Sequence, residues 1–118
     1  MSSWNPKRRE RIKALTNGRC GYCGETLEKV FHMDHVRSKF LHDHHGESRP
    51  DREENLMASC PSCNVLKNSG TVDQFRELVA GFNTTLLRDA RFRCLTRMAR
   101  VKVTGEPVVF YFETLNNG

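Results

Sequence analysis

The sequence has no long hydrophobic segment, because charged or polar residues interrupt it before an apolar run reaches 18 residues. A membrane-spanning helix needs about 20 predominantly apolar residues, so we expect no transmembrane segment. Residues 1–13 are mainly polar and basic, whereas a signal peptide would carry an apolar stretch here. Secretion is therefore not expected, and the predicted location is the cytoplasm.

Hydrophobic residues are also scarce, at 37% of the 118 residues against 28% charged residues. A chain of this size forms one small domain, and such a composition leaves its core near the lower limit, which favours an additional cross-link. Five cysteines are present. Thiols stay reduced in the cytoplasm, so paired cysteines are predicted to bind a metal ion and not to form disulfides.

The charge balance is positive: 19 Lys+Arg against 14 Asp+Glu gives a formal net charge of +5. For a small protein of this kind, nucleic acid is the first partner to expect, and neither a membrane nor a small-molecule substrate is predicted. Arginines cluster in an N-terminal helix and in a later one. These arginines form either a solvated charged surface or contacts to phosphate, and the candidate contacts are Arg8, Arg9, Arg11, Arg93 and Arg97.

Local signals predict the first half of the chain as helix, strand and loop. Asn5 and Pro6 are typical of a helix start, and Gly18 is typical of the residue that follows a helix end. Ile12 and Leu15 would supply a thin apolar contact from this helix. Residues 30–36 favour a strand that ends near His35, and the polar residues 39–55 favour a long exposed loop.

The second half is predicted to be mainly helical. A short helix follows residues 60–64 and runs through Lys67, and Thr71 with Gln74 forms a capping box before a clearly amphipathic helix. A further helix is predicted over residues 85–101, with the Cys94 thiol buried in its apolar stripe. Residues 108–113 are predicted to form a closing strand.

Four cysteines are arranged as two CxxC pairs, at residues 20–23 and 60–63. Each pair can present two sulfur atoms to one ion, and four thiolates are a typical ligand set of tetrahedral structural zinc. A redox dithiol and unliganded core cysteines are the alternatives. We predict a shared Zn²⁺ held by Cys20, Cys23, Cys60 and Cys63.

The residues between and just after the two pairs carry a second pattern. Asp34 and His35 end the predicted strand, Asn55 follows the polar loop, and Asn64 and Lys67 follow the second cysteine pair. The ordered set CxxC, DH, N, CxxCNxxK resembles the HNH endonucleases, over about residues 20–67. No single position is specific, but the ordered set is. Asn64 stands where histidine is frequent in the family, so the pattern is the HNN variant.

The resemblance implies a ββα-metal nuclease site. In it, Asp34 and Asn64 would hold the catalytic ion, and Asn55 would fix the loop and orient His35. Carboxylate and amide oxygens suit Mg²⁺ or Mn²⁺. Histidine exchanges protons near neutral pH, so His35 is the predicted general base. Lys67, one helical turn beyond Asn64, is predicted to hold a phosphate.

The sequence therefore predicts a small single α+β domain, with a zinc-stapled ββα-metal nuclease core flanked by helices. Residues 1–18 form the basic N-terminal helix, residues 19–70 the core, and residues 71–118 the helical C-terminal part. The predicted function is metal-dependent hydrolysis of DNA with modest sequence preference. The family also implies phage-encoded or mobile endonucleases, acting in the bacterial host cytoplasm, and a homodimer or a phage packaging partner fits this setting.

Several alternatives remain open at this stage. A zinc-stapled module that binds nucleic acid without cutting it fits the same composition, and so does a zinc-stabilised protein-interaction domain. Asp34 and His35 are neighbours in a predicted strand, where adjacent side chains point to opposite faces. They can serve one site only if the strand ends or twists between them. The remaining histidines have no assigned role: His32, His42, His44 and His45.

Overall fold

A computed structural model of the protein describes residues 5–36 and 52–115. Much of the predicted polar loop, including His42, His44 and His45, lies outside these residues. The described parts contain two short strands, a 3-10 turn and several helices. In chain order these are α1 Pro6–Leu15, β1 His32–His35, the 3-10 turn Glu53–Asn55, β2 Leu56–Ser59, α2 Pro61–Lys67, α3 Val72–Leu87, α4 Ala90–Arg97 and α5 Tyr111–Leu115.

The predicted N-terminal helix is confirmed by α1. The Asn5 side chain accepts a hydrogen bond from the Lys7 amide at 2.8 Å, and a proline occupies the first helical turn. Gly18 follows the helix end with a φ of 75°. Of the two expected apolar contacts, only Ile12 is buried, at 1% exposure, whereas Leu15 is 67% exposed.

The sheet is a two-stranded antiparallel hairpin of β1 and β2. Its register pairs Asp34 with Met57 and His35 with Leu56. The predicted strand end at His35 is confirmed, because β1 stops there. The strand β2 was not predicted from the sequence. Its four residues, directly before the second cysteine pair, are too few to show whether the segment is a strand or a helix.

The segment 19–26, here called the first knuckle, packs directly on β2. Its Gly21 amide donates to the Ala58 carbonyl at 2.8 Å. A side-chain Cβ at Gly21 would collide with the Met57 side chain, so glycine permits this close approach. The first knuckle is thereby fixed against the hairpin through its backbone.

A cluster of aromatic rings joins the first knuckle to the C-terminal part. Tyr22 makes edge-to-face contacts with Phe75 and Phe110, at centroid distances of 5.3 and 5.4 Å. Phe75 and Phe110 stack on each other at 5.0 Å. All three rings are buried, so they form the centre of the small core. The helices and the two-stranded antiparallel sheet confirm the predicted α+β class.

The predicted helix over residues 85–101 is wrong in its bounds. The helix α3, with the predicted Thr71 capping box, runs to Leu87, and α4 begins only at Ala90. Asp89 interrupts the pattern because its carboxylate caps α4, accepting from the Arg91 and Phe92 amides. The expected apolar stripe is not a buried face, since Met98 is 67% exposed and Cys94 is only half-buried.

The predicted closing strand over residues 108–113 is also wrong, because Tyr111–Leu115 is the helix α5. The Glu113 carboxylate accepts from the Phe110 amide at 2.8 Å and pairs with both terminal nitrogens of Arg76. The Tyr111 and Phe112 amides donate to backbone carbonyls of the first knuckle. These contacts override the strand propensity of the aromatic residues. No helix within the described ranges is long and apolar enough to cross a membrane.

Candidate metal and catalytic site

The four cysteines of the two CxxC pairs meet at one point. All four sulfur atoms lie within 4.8 Å of one another, and the Cys23 and Cys60 sulfurs are 3.8 Å apart. Four thiolates around a tetrahedral zinc, each at about 2.3 Å, lie about 3.8 Å from each other. The site therefore fits a structural Zn²⁺, and its residues are Cys20, Cys23, Cys60 and Cys63.

Backbone amides also point at these sulfurs. The Tyr22 amide donates to the Cys20 sulfur and the Cys63 amide donates to the Cys60 sulfur, each at 3.4 Å. The pKa of the Cys20 thiol is lowered to about 4 because the Cys63 thiol hydrogen-bonds to it, and the same contact raises the pKa of Cys63. Donors aimed at sulfur favour the thiolate form, which is the form that binds zinc.

A buried network of charged and polar groups lies beside the cysteine cluster. Asp34 is only 6% exposed, and its Oδ2 accepts from the Tyr22 hydroxyl at 2.6 Å. The Lys67 Nζ lies 3.1 Å from the same oxygen. Burial and the neighbouring Asp34 charge raise the pKa of Tyr22 well above its usual range, which keeps the hydroxyl a hydrogen-bond donor.

Lys67, predicted to hold a phosphate, is buried against the end of β1. Its side chain is 0% exposed, and Nζ also donates to the His35 carbonyl at 3.0 Å. A phosphate contact needs an ammonium at the surface. The last turn of α2 directs Lys67 inward onto the end of β1, and its phosphate contact stays a prediction.

His35 is the last residue of β1 and is half-buried. The strand does not end between Asp34 and His35, because both residues belong to β1 and pair with Met57 and Leu56. The His35–Val36 peptide is held on both sides: its carbonyl accepts from Lys67 and its amide donates to the Asn55 carbonyl at 2.8 Å. Asn55 itself is buried and ends the 3-10 turn before β2.

Asn64 lies on α2, three residues before Lys67, and is half-buried. Residues three apart share a helix face, so the contact of Lys67 with Asp34 turns that face of α2 towards β1. Asp34 and Asn64 offer a carboxylate and an amide oxygen, which are suitable donors for Mg²⁺ or Mn²⁺. Within the described residues, the four cysteines are the only group of three or more His, Cys, Asp or Glu side chains that could hold a metal ion.

The arginines predicted to contact DNA fall into two groups. On α1, Arg9 donates to the Phe31 carbonyl at 3.0 Å and lies over its ring, and Arg11 pairs with Glu53. Arg8 is half-buried and lies 3.7 Å from the same glutamate. On α4, the Arg93 and Arg97 side chains are exposed, although each makes one local hydrogen bond, to the Leu87 carbonyl and the Cys94 sulfur.

Sequence analysis missed Tyr22 as a member of the site. The residue lies between the two cysteines of the first CxxC pair, where an aromatic side chain is expected to pack in the core. Its ring does so, against Phe75 and Phe110. Its hydroxyl reaches Asp34 on β1 only because the first knuckle packs on the neighbouring strand β2. The sole advance signal was that a buried tyrosine hydroxyl usually has a hydrogen-bond partner.

The first knuckle, the second CxxC pair, the β1–β2 hairpin and α2 together define a four-cysteine ββα unit. The family model described as HNH endonuclease matches residues 20–70. The resemblance found in the sequence is thereby confirmed: residues 20–70 are similar to HNH endonucleases. Comparisons with curated proteins and with solved structures give no match.

Proposed function

We propose that the protein is a metal-dependent endonuclease that hydrolyses phosphodiester bonds of DNA. The observation that carries the proposal is the placement of Asp34 and His35 at the end of β1, with α2 and its Asn64 held against that end by Lys67. The HNH match over residues 20–70 supports nuclease chemistry at this position. The basic charge of the chain supports a polyanionic substrate.

Each residue has a role in this proposal. His35 accepts a proton from a water molecule as its oxygen attacks phosphorus and the bond from phosphorus to the leaving oxygen breaks. Asp34 and Asn64 hold the divalent ion, and Asn55 holds the peptide that follows His35. A bound Mg²⁺ or Mn²⁺ supplies charge neutralisation at the phosphate and at the leaving oxygen. Zn²⁺ on the four cysteines joins the first knuckle to the second CxxC pair.

The exposed arginines of α4 are proposed to hold the phosphate backbone, with α1 contributing Arg8, Arg9 and Arg11. Phosphate contacts carry no sequence information, so modest sequence preference follows. One active centre reaches one strand per visit, so a monomer nicks, whereas a symmetric homodimer cuts both strands. A phage or mobile-element origin, a packaging partner and action in the host cytoplasm belong to the same proposal and rest on the family resemblance.

The alternative is a zinc-stapled module that binds nucleic acid without cutting it. One observation favours it: Asp34 already has two partners on Oδ2, which satisfies the carboxylate without any ion. A carboxylate has a second oxygen and several lone pairs, so the same observation is compatible with a metal ligand. Cleavage itself must distinguish the two functions.

The test is conversion of supercoiled plasmid by zinc-loaded protein, with Mg²⁺, with Mn²⁺ and without added divalent metal. Wild type is compared with His35→Ala and with His32→Ala, an exposed histidine of the same strand. The proposal expects nicked product that needs the divalent ion, is lost with His35→Ala and persists with His32→Ala. Binding of plasmid without cleavage under both ions would leave the non-catalytic module as the function.

A further inference from the structure

The strongest unexplained feature of the site is a lysine ammonium with no exposed surface. Lys67 lies at the end of α2, and its Nζ contacts two groups of β1: the Asp34 carboxylate at 3.1 Å and the His35 carbonyl at 3.0 Å. A buried ammonium is costly unless it is paired and hydrogen-bonded. Both conditions are met here by the two residues of the proposed catalytic pair.

We infer that Lys67 is a positioning residue for Asp34 and His35 and makes no contact with DNA. The inference deepens the proposed nuclease site and rests on it for its catalytic consequence. Lys67 and Tyr22 both engage Oδ2 of Asp34, so they fix the rotation of the carboxylate and leave its other oxygen, Oδ1, for an ion. Groups that orient metal ligands in this way are typically needed for full activity.

The second contact of Lys67 fixes the backbone. The peptide between His35 and Val36 is gripped from both sides, by Lys67 on its carbonyl and by the Asn55 carbonyl on its amide. This peptide lies just where β1 ends and the polar segment begins. Holding it defines the direction in which the His35 side chain leaves the strand.

The two candidate roles of Lys67 differ in how DNA binding responds to salt. A lysine on a phosphate contributes about one unit to the slope of log affinity against log salt, whereas a buried lysine contributes nothing. The test measures binding of a DNA duplex at several KCl concentrations, without added divalent metal, for wild type, Lys67→Met and Lys29→Met. Lys29 is an exposed lysine outside the site, and its variant reports the loss of one surface charge.

For Lys67→Met we expect unchanged duplex affinity and slope, but a cleavage rate at least tenfold lower. We also expect faster amide hydrogen exchange at Val36, which Lys29→Met leaves unchanged. A slope that falls by about one, with Val36 exchange as in wild type, would overturn the inference and return Lys67 to a phosphate contact. If wild type does not cleave DNA, the nuclease proposal fails, while Val36 exchange and the salt slope still decide the inference.

Lys67→Met leaves the buried Asp34 carboxylate without a positively charged partner, so this variant can fail to fold. The double variant Asp34→Asn/Lys67→Met removes both charges and is expected to recover folding; the salt slope and Val36 exchange are then measured on it. Tyr22→Phe gives an independent readout, because it removes one donor from Oδ2 and keeps the ring. It should lower Mn²⁺ affinity or cleavage about tenfold or more, with Val36 exchange as in wild type. Wild-type behaviour of Tyr22→Phe in both assays would refute the role assigned to Oδ2.

Discussion

The Tyr22 hydroxyl lies 2.6 Å from Oδ2 of Asp34, and this hydrogen bond connects the first knuckle to the strand β1 of the proposed catalytic site. Tyr22 belongs to the first CxxC pair, and Asp34 directly precedes His35 on β1. The ring of Tyr22 is in turn clamped by Phe75 and Phe110. The four-cysteine cluster and the proposed catalytic site are therefore packed together. A substitution that disrupts the first knuckle is expected to change the position of the Asp34 carboxylate.

Removing the Tyr22 hydroxyl tests how much this hydrogen bond contributes to the free energy of unfolding. Tyr22→Phe keeps the edge-to-face packing but takes one donor from a buried carboxylate, so we expect a loss of about 1–3 kcal/mol in the free energy of unfolding. Urea denaturation followed by circular dichroism measures it. The control is Tyr111→Phe: the residue is half-buried, and its hydroxyl accepts an exposed hydrogen bond from the Asn17 side-chain amide at 3.4 Å. An equal loss in both variants would contradict a special contribution from the Asp34 contact.

Zinc removal is expected to unfold the core. The hydrophobic core is small, and a metal ion on the four cysteines would join residues 20–23 to residues 60–63. Cys63→Ser should lower the bound zinc below one ion per chain and lower the melting temperature. Cys94→Ser, a half-buried cysteine outside the cluster, should do neither. Metal analysis and thermal melting check both variants, and full zinc content in Cys63→Ser would refute the four-cysteine site.

Gly21 and Gly81 form a matched pair for alanine substitution. A Cβ at Gly21 collides with the Met57 side chain, so Gly21→Ala should cost about 1–3 kcal/mol of unfolding free energy, as overpacking does. A Cβ at Gly81, inside α3, meets nothing within 4 Å, so Gly81→Ala should stabilise by about 0.5–1 kcal/mol. Chemical denaturation measures both. Met57→Ala combined with Gly21→Ala should recover part of the loss, and a gain in stability with Gly21→Ala alone would contradict the close packing.

The Arg76–Glu113 pair predicts a pH dependence of stability. Hydrogen bonding to Arg76 holds the pKa of the Glu113 carboxyl below its ordinary value of 4.5. A carboxyl with a lowered folded pKa binds fewer protons in the folded state, so its stabilisation is present above pH 4.5 and is lost as the pH falls through the lower folded value.

Melting temperatures between pH 7 and pH 3 test this contribution. Glu113→Gln should melt lower than wild type at pH 7, and the difference should shrink as the pH falls below 4.5. Glu77→Gln, an exposed position on α3, serves as the control. A difference between wild type and Glu113→Gln that stays constant down to pH 3 would exclude the ion pair as its source.

The exposed arginines of α4 should appear in the salt dependence of DNA binding. Replacing both in Arg93→Ala/Arg97→Ala should reduce the slope of log affinity against log salt by about two, since each phosphate contact contributes about 0.9. Fluorescence anisotropy of a labelled duplex at several KCl concentrations measures it. Lys29→Met is the single-charge control. An unchanged slope would mean that these arginines form a solvated charged surface, which is the other interpretation that the sequence allows.

The local features of this protein were determined by the sequence itself. The two CxxC pairs, the Asn5 and Thr71 caps and the end of β1 at His35 follow from neighbouring residues, because metal spacing, helix capping and turn preferences act over a few positions. The ordered HNH pattern could be recognised for the same reason. The strand β2 was too short to be placed in advance.

Tertiary structure decided the rest. Lys67 and His35 are 32 positions apart, and only the docking of α2 on β1 turns a predicted surface lysine into a buried ion-pair partner. Residues 108–113 were predicted as a strand, yet Tyr111–Leu115 forms α5. Backbone carbonyls of the first knuckle and the Arg76 guanidinium supply its hydrogen-bond partners. Intrinsic propensities differ by about 1 kcal/mol, so several long-range contacts outweigh them.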